Sequence, residues 1–228
     1  MSKIPRYAML TIDLDGTLVD TAAEIAEAAN RSIEEFGLPR QPVPMITPLI
    51  GAGAQELMKR LLNRIEVERG LSLSHADRES ALRRFEVHYQ ATAGTACRPY
   101  PGVADALVRL RSAGVRLACV TNKETRYSEQ VLAACGLSQS FDLLVGGDTL
   151  AVKKPDARVI GHAIATLAAT RATTAHLGDS QVDVEAARNA GVAAWVVPYG
   201  YNGGEPIASA RPDMTFADLG EVARHVLD

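Results

Sequence analysis

Disulfide frameworks, membrane spans and secretory leaders find little support in this chain. Its 228 residues contain three cysteines, at positions 97, 119 and 135, and no Cys-x-x-Cys pair. An odd number of widely spaced cysteines argues against a disulfide framework and favours a reducing compartment. No apolar run approaches the roughly 20 residues of a membrane-spanning helix. The short apolar run after residues 1–7 is interrupted at Asp13, so we expect a cytoplasmic protein with no leader and no membrane partner.

The chain also lacks a block of like charge. Its formal net charge is −3, with acidic and basic residues mixed along its length. We therefore expect no nucleic-acid partner. Hydrophobic residues make up 47% and charged residues 22% of the sequence, which is typical of a soluble globular protein. A chain of this length can bury a core as one domain, or as a core with a smaller insert. We expect a monomer or a homodimer.

In residues 20–92, the spacing of apolar residues predicts helices only and no strands. A first helix is predicted to start at a cap formed by Asp20 or Thr21. The proline-rich segment 39–48 contains too many helix breakers and is predicted to be irregular. Apolar residues recur every three or four positions in the helical parts. The predicted helices cover approximately 21–36, 57–65 and 74–89.

The rest of the chain alternates between strand-like and helical patterns. This alternation is typical of a parallel sheet covered by helices on both faces. We therefore predict an α/β fold with a doubly wound, Rossmann-like core formed by 1–19 and 93–228. An all-helical segment, 20–92, is inserted into it. The predicted strands are 7–12, 115–120, 141–145, 173–177 and 192–197, and the predicted helices between them are 103–113, 124–134, 157–168 and 182–190.

Polar side chains follow four of the predicted strands, at or soon after the point where each strand ends. Parallel strands end at the same edge of a sheet, and ligands bind outside that edge. We therefore expect these side chains to converge there. Gly16 lets the backbone turn directly behind the first of them. The converging residues are Asp13 and Asp15, Thr121 and Asn122, Lys154, and Asp179 and Asp183.

This set of residues suits phosphoryl transfer, which needs a nucleophile in line with the leaving group and positive charge around the phosphate. Asp13 can attack phosphorus and form an aspartyl-phosphate. Asp15 can protonate the leaving oxygen and later take a proton from the attacking water. Thr121 and Asn122 offer a hydroxyl and an amide to phosphate oxygens.

Positive charge near the phosphate can come from a lysine and from a metal ion. Lys154 supplies a compact cation beside the nucleophile. Asp13, Asp179 and Asp183 together form an oxygen-rich site for a hard divalent cation, for which Mg²⁺ is the natural candidate. Such a cation reduces the repulsion between an anionic nucleophile and an anionic phosphate.

Each of these residues also has an ordinary structural interpretation. Asp179 or Ser180 can cap the helix that follows, and Asp183 can be an acid of its first turn. Thr121 and Asn122 can form a cap pair, and Lys154 can be a surface lysine. Independent turns give no reason for this complementary set to meet at one edge, which favours the catalytic interpretation.

The motifs resemble the four signature elements of the haloacid dehalogenase-like phosphatase superfamily. The resemblance implies a doubly wound core, a helical cap inserted after the first element, and Mg²⁺ dependence. It also implies that the cation is held by Asp13, by the main-chain carbonyl of Asp15 and by Asp179. Asp183 then lies in the inner or outer shell of the cation. The matching stretches are Asp13-Leu14-Asp15-Gly16-Thr17, Thr121-Asn122, Lys154-Pro155 and Gly178-Asp179-Ser180 with Asp183; Gly16, Thr17, Gly178 and Ser180 are expected to support the site structurally.

Within the superfamily, the chain looks most like bacterial phosphoglycolate phosphatases. The segment Tyr199-Gly200-Tyr201-Asn202-Gly203-Gly204-Glu205-Pro206-Ile207 carries much of this similarity. Gly51 and Gly53, which lead into a cap helix, also resemble that subgroup. We expect them to form a substrate loop, since glycine lets the backbone approach a ligand closely.

The resemblance therefore implies a Mg²⁺-dependent phosphatase acting on a small anionic phosphate ester, 2-phosphoglycolate first among the candidates. A phosphosugar mutase and a broad-specificity sugar-phosphate or nucleotide phosphatase are alternatives within the superfamily. A dehalogenase needs neither a metal nor a second catalytic aspartate, so Asp15 and Asp179 argue against it. A non-catalytic binding module is disfavoured by the complete set of Asp13, Asp15, Lys154 and Asp179.

Overall fold

The computed structural model of this protein describes residues 6–228. The predictions made for residues 1–5, as the start of the core and as part of a segment without a leader, lie outside the described residues. In the described part, parallel strands form a sheet whose order is β5-β4-β1-β6-β7-β8. The strands of this sheet are β1 (Met9–Ile12), β4 (Arg116–Val120), β5 (Leu143–Val145), β6 (Thr174–Gly178), β7 (Ala193–Val196) and β8 (Met214–Thr215). The predicted fold class, a doubly wound parallel sheet with an inserted helical cap, is confirmed.

The order of the strands places the end of β1 at the topological switch point of the sheet. Successive strands are added on one side of β1 up to β5, and the chain then returns to add β6 and its successors on the other side. Ile12, the last residue of β1, is in register with Cys119 on β4 and with Leu177 on β6. Ligands of doubly wound sheets bind at this reversal, so whatever follows Ile12 lies at the favoured position.

Strand residues are buried on both faces because helices cover both faces of the sheet. Leu10 and Ile12 belong to one apolar cluster, whereas Met9 belongs to the cluster on the opposite side, as period-2 alternation requires. Trp195 on β7 is buried, as a core residue should be. The helices outside the inserted segment are α5 (Val103–Ser112), α6 (Thr125–Ala134), α7 (Ala157–Thr166), α8 (Gln181–Ala190) and α9 (Leu219–Leu227).

The inserted segment builds an apolar cluster of its own. Its helices are α1 (Ala22–Glu34), α2 (Val43–Ile46), α3 (Ala54–Arg69) and α4 (His75–Thr92). Apolar residues of these helices form one cluster, which Tyr127 and Tyr201 join from outside the segment. The short antiparallel strands β2 (Val19–Asp20) and β3 (Arg98–Pro99) pair where the chain enters and leaves the segment. No helix in residues 6–228 combines the length and the apolar character that a bilayer crossing requires.

The structure corrects two predictions of local structure. The proline-rich segment 39–48 is not wholly irregular, because it contains α2 and the start of the 3-10 helix Thr47–Leu49. Pro44 and Pro48 lie in the first turns of these helices, where proline lacks only an N–H that would be unpaired anyway. The sequence analysis also missed the strands β2, β3 and β8, since two-residue strands are too short to show a periodicity, and it missed the helix α9.

Candidate active site

Asp13 and Asp15 follow β1 at the carboxyl edge of the sheet. The Asp13 N–H donates to the Leu177 carbonyl at 2.9 Å, so Asp13 continues the pairing of β1 with β6. Gly16 then turns the chain with a φ of +83°, and a Cβ at this position would lie 2.5 Å from a carboxylate oxygen of Asp179. Glycine is therefore required here both by the backbone conformation and by the close approach.

Lys154 joins two of the carboxylates that the sequence places at this edge. Its ammonium lies 2.8 Å from Asp13 Oδ1 and 2.7 Å from Asp183 Oδ1. The lysine side chain is only 1% exposed, so it is not the surface lysine of the structural interpretation. Burial lowers the pKa of Lys154, but the charges of Asp13 and Asp183 outweigh that effect and hold its pKa above the ordinary value. Lys154 is therefore a fixed cation between two carboxylates.

Asp179 is held by neighbours on both of its oxygens. The Thr17 hydroxyl donates to Oδ1 at 2.9 Å, and the Tyr201 backbone N–H donates to Oδ2 at 2.6 Å. These bonds fix the carboxylate beside Asp13 from two parts of the chain that are far apart in sequence. The support predicted for Thr17 therefore has a physical form, a hydrogen bond to Asp179.

Asp183 combines a capping role with a place in the site. The Ser180 N–H and hydroxyl donate to its Oδ2 at 3.1 and 2.6 Å, which closes the first turn of α8. Its Oδ1 contacts Lys154 and lies 3.2 Å from His176 Nε2. Burial raises the pKa of Asp183, but Lys154 and His176 together hold it below the ordinary value. A Cβ at Gly178 would lie 2.2 Å from the Asp183 carboxylate carbon, so a side chain there would displace this carboxylate.

Three buried carboxylates at this edge of the sheet form a site that fits a divalent cation. Asp13, Asp179 and Asp183 are buried, and each offers an oxygen within 4.8 Å of the others. Burial and the charges of Asp183 and Asp15 raise the pKa of Asp13 to about 6 against the opposing effect of Lys154. Burial, Asp183 and Asp13 likewise raise the pKa of Asp179. A hard cation would stabilise the ionised form of this crowded set.

Asp15 has different surroundings from Asp13. The Lys123 ammonium and the Thr21 hydroxyl both donate to its Oδ1, each at 2.6 Å. Among residues 6–228, no group donates to its Oδ2. One oxygen of Asp15 is therefore fixed by the protein, and the other is left for a ligand.

Thr121 and Asn122 lie at the end of β4, as predicted, but their side chains are used differently. Thr121 lines the cleft beside Asp13. The Asn122 amide accepts from the Lys154 N–H at 2.8 Å and donates to the carbonyls of Lys154 and Gly51, each at 3.1 Å. Asn122 therefore holds the Lys154 backbone and the inserted segment, and phosphate binding by its side chain stays a prediction.

A cleft lies between the sheet edge and the inserted helices. The space free of protein atoms here is about 430 Å³ when the open solvent at its mouth is included. Gly51 and Gly53 line it with φ values of +120° and +88°. The cleft brings both predicted loop glycines to Asp13 and Asp15, as the expected substrate loop requires.

Sequence reasoning missed four residues around this site. Lys123 and Tyr89 contact each other in the cleft, His176 supports Asp183, and Tyr201 supports Asp179. Lys123 could have been found from its position, because it directly follows two polar residues at a strand end. His176 was expected to have an ordinary packing role, and no sequence signal links it to Asp183.

Comparisons with known proteins agree with this geometry. Residues 11–197 match the model of the haloacid dehalogenase-like hydrolase family. A plasmid phosphoglycolate phosphatase of Cupriavidus necator is 42% identical over 206 residues, which cover 90% of this chain and 87% of that protein. A phosphoglycolate phosphatase of Thiobacillus denitrificans is 35% identical over 215 residues, covering 94% and 93%.

Solved structures are similar over almost the whole chain. The crystal structure of a predicted phosphoglycolate phosphatase from Haemophilus somnus superimposes with a TM-score of 0.92 at 29% identity, covering 97% of this chain and 99% of that one. The resemblance derived from the motifs is thereby confirmed. With its signature residues gathered at one sheet edge and its relatives matched from end to end, the chain belongs to the haloacid dehalogenase-like hydrolase family.

Proposed function

We propose that this protein is a Mg²⁺-dependent phosphatase that hydrolyses a small phosphomonoester, most specifically 2-phosphoglycolate. The observation that carries the proposal is the pair of environments at the end of β1. Asp13 lies beside the Lys154 cation and two other carboxylates, whereas Asp15 has one oxygen fixed and one available. These are the surroundings that a nucleophile and an acid/base group need.

In the proposed reaction, an Asp13 carboxylate oxygen attacks phosphorus while the ester P–O bond breaks. The leaving oxygen takes a proton from Asp15. Asp15 then takes a proton from a water molecule that attacks the aspartyl-phosphate, releasing phosphate and restoring Asp13. Lys154, Thr121 and Asn122 stabilise the negative charge of the phosphate oxygens.

The cation would be held by Asp13 and Asp179, by the main-chain carbonyl of Asp15, and by Asp183 in its inner or outer shell. When bound, it supplies positive charge that reduces the repulsion between nucleophile and phosphate. Asp183 also has a role that needs no metal, because it fixes the Lys154 ammonium from behind.

The proposed division of the chain is a core of 1–19 and 93–228 and a cap of 20–92. The cap would close over the cleft and exclude bulk water while the aspartyl-phosphate exists. The contact of Asn122 with Gly51 supports this arrangement, since it joins the sheet edge to the glycine loop. The substrate assignment is supported by the phosphoglycolate phosphatases that are 42% and 35% identical to this chain.

The test is phosphate release by the purified protein, with Mg²⁺ and with EDTA, from a panel of esters. We expect 2-phosphoglycolate to be hydrolysed far faster than hexose phosphates and nucleoside monophosphates, and EDTA to abolish release. Equal rates across the panel would contradict the assignment of 2-phosphoglycolate as the substrate, but they would still identify a phosphatase. Conversion of a hexose 1-phosphate to its 6-phosphate would instead identify a mutase.

A further inference from the structure

Lys123 is a buried lysine to which neither the proposed mechanism nor the motifs give a role. Its side chain is only 3% exposed. Its ammonium contacts Asp15 Oδ1 at 2.6 Å and the hydroxyl of Tyr89 on α4, and it lies 5.0 Å from the centre of the Tyr89 ring. Burying an ammonium costs several kcal/mol unless it is paired. The contact with Asp15 offsets that cost and keeps the charge at the cleft.

Lys123 is also the one cationic residue among the described residues that line the cleft. The other lining residues are acidic, amide, hydroxyl, glycine or apolar. Lys153 and Lys154 are not among the residues that line the cleft. Asp13, Asp15, Tyr89 and Glu124 are among the other lining residues.

The position of Lys123 next to Asp15 has a chemical meaning for one class of substrate. In the phosphate ester of a 2-hydroxy acid, the carboxylate is one carbon away from the ester oxygen. Asp15 is the residue proposed to protonate that oxygen. A group that binds the carboxylate must therefore lie close to Asp15, and Lys123 does.

The ammonium has capacity for a further ligand. It carries three N–H donors, of which one is directed to Asp15 and one to Tyr89. Tyr89 packs against Phe85 and Tyr127, with ring centres 5.4 and 4.7 Å away. This aromatic packing holds the hydroxyl, and with it the lysine, at the wall of the cleft.

We propose that Lys123 binds the substrate carboxylate and so determines selectivity for phosphate esters of 2-hydroxy acids. The proposal rests on the proposed phosphatase function. It adds the residue that distinguishes a phosphate ester with a carboxylate from a similar ester without one. It also assigns Tyr89 as the cap residue that positions Lys123.

The test compares two substrates that differ in the carboxylate, 2-phosphoglycolate and ethyl phosphate. The readout is the ratio of their kcat/KM values in wild type and in Lys123→Met. Charge-assisted hydrogen bonds contribute enough for the ratio to fall by about 10- to 100-fold in the variant. An equal loss on both substrates would show that Lys123 only positions Asp15, and it would overturn the proposal.

Two further variants make the test decisive. Lys123→Gln keeps a hydrogen-bond donor but removes the charge, and we expect the same fall in the ratio if Lys123→Met is too unstable to assay. Lys153→Met is the matched control, since this half-exposed lysine pairs with Glu124 at 3.2 Å. It should leave the ratio unchanged, and thermal unfolding of each variant checks that the fold is retained.

The same data separate this proposal from the function on which it rests. A wild-type protein that releases no phosphate from either ester contradicts the phosphatase itself. A wild-type protein that hydrolyses both esters equally well remains a phosphatase, and that result overturns the role of Lys123.

Discussion

Asp13 and Asp15 are two residues apart in sequence, yet their surroundings differ at the level of single atoms. Asp13 lies beside Lys154 and among buried carboxylates, whereas Asp15 is bonded through one oxygen to Lys123 and Thr21. The proposed division of labour between nucleophile and acid/base follows from these neighbours, since the two residues are chemically identical.

The proposed nucleophile can be tested by replacing one oxygen with an amide. Asp13→Asn should lower phosphate release by at least about 10³-fold, because the amide cannot form the aspartyl-phosphate. The fold should be retained, since the substitution removes a charge from a crowded, buried set. Phosphate assays and thermal unfolding measure both effects. Asp105→Asn, exposed on α5, should behave as wild type, and substantial activity in Asp13→Asn would refute the assignment.

The raised pKa values predict how pH changes the effect of Mg²⁺ on stability. The pKa of Asp13 is about 6 in the folded chain against an ordinary 3.8, and that of Asp179 is also raised. Between pH 3.8 and about pH 6, the folded state then binds more protons at Asp13 than the unfolded state does. Without a cation, the contribution of these groups to stability falls as pH rises through that window. Mg²⁺ should therefore raise the unfolding temperature more at about pH 7.5 than at about pH 5.

Thermal unfolding in EDTA and in Mg²⁺ at the two pH values measures this difference. Asp179→Asn is the matched variant, and its response to Mg²⁺ should be reduced at both pH values. Equal Mg²⁺ shifts at both pH values in the wild type would contradict the expectation.

Single residues also show how far the sequence predicts the site. Asp13, Asp15 and Asp179 could be predicted because each follows a recognisable strand. The position of Lys123 at a strand end was readable from the sequence, but its burial was not, since a lysine is expected at the surface and this burial depends on Tyr89 from a separate helix. Phosphate binding by Asn122 stays a prediction, and the hydrogen bond of its amide to Lys154, 32 residues away, is revealed by no local pattern.

Among the structural elements, the loop after β7 connects Asp179, one of the clustered carboxylates, to the inserted helices. The Tyr201 N–H donates to Asp179, and its hydroxyl accepts from the N–H groups of Thr21 and Ala22 at 2.8 and 3.1 Å. The same hydroxyl donates to the Asp20 carboxylate at 2.8 Å. One residue therefore serves both the site and the start of α1.

Tyr201→Phe should destabilise the protein by about 1–3 kcal/mol, because the buried Thr21 N–H loses its acceptor and the Asp20 carboxylate loses a donor, whereas the Ala22 N–H keeps Asp20 Oδ1 at 3.1 Å. Tyr199→Phe is the matched control. Its hydroxyl donates only to the Thr17 carbonyl, at 2.8 Å, so its loss should cost about 1 kcal/mol or less. Denaturant unfolding of both variants gives the comparison. Equal losses would contradict the capping role of Tyr201.

The elements themselves were largely predictable, and the exceptions have physical reasons. Strands β1, β4, β5, β6 and β7 of the central sheet are predictable because continuous apolar runs are bounded by glycine and polar residues, whereas the two-residue strand β8 is not. The helix Val43–Ile46 is not predictable from the pattern because Pro44 breaks a helix at most positions, although a first turn tolerates it. The pair of β2 and β3 depends on a long-range meeting of two-residue segments, which no local periodicity encodes.

For the whole molecule, Glu24 connects the two places where the chain passes between the sheet and the inserted helices. This residue of α1 is buried, and its carboxylate accepts from the N–H groups of Gly94 and Ala96 at 2.9 and 3.3 Å. Burial is the main cause that raises the pKa of Glu24. A residue at the start of the inserted segment therefore fixes the backbone just after the end of that segment.

Glu24→Ala should therefore destabilise the protein by about 1–3 kcal/mol, since two backbone N–H groups lose their acceptor. Glu27→Ala, one turn later and partly exposed, removes only surface ion pairs with Arg31 and Arg40. Its effect should stay within about 1 kcal/mol. Denaturant unfolding measures both variants, and a larger loss for Glu27→Ala would contradict this role of Glu24.

The central position of β1 has a consequence for the order in which the molecule can form. On the ribosome, β1 is made first, but its partners β4 and β6 follow only after the entire helical segment. A nascent chain therefore holds a complete set of inserted helices, with an apolar cluster of their own, before the sheet can begin. The site draws on residues from Asp13 to Tyr201, so catalytic competence arises only late in synthesis, when the loop after β7 has emerged.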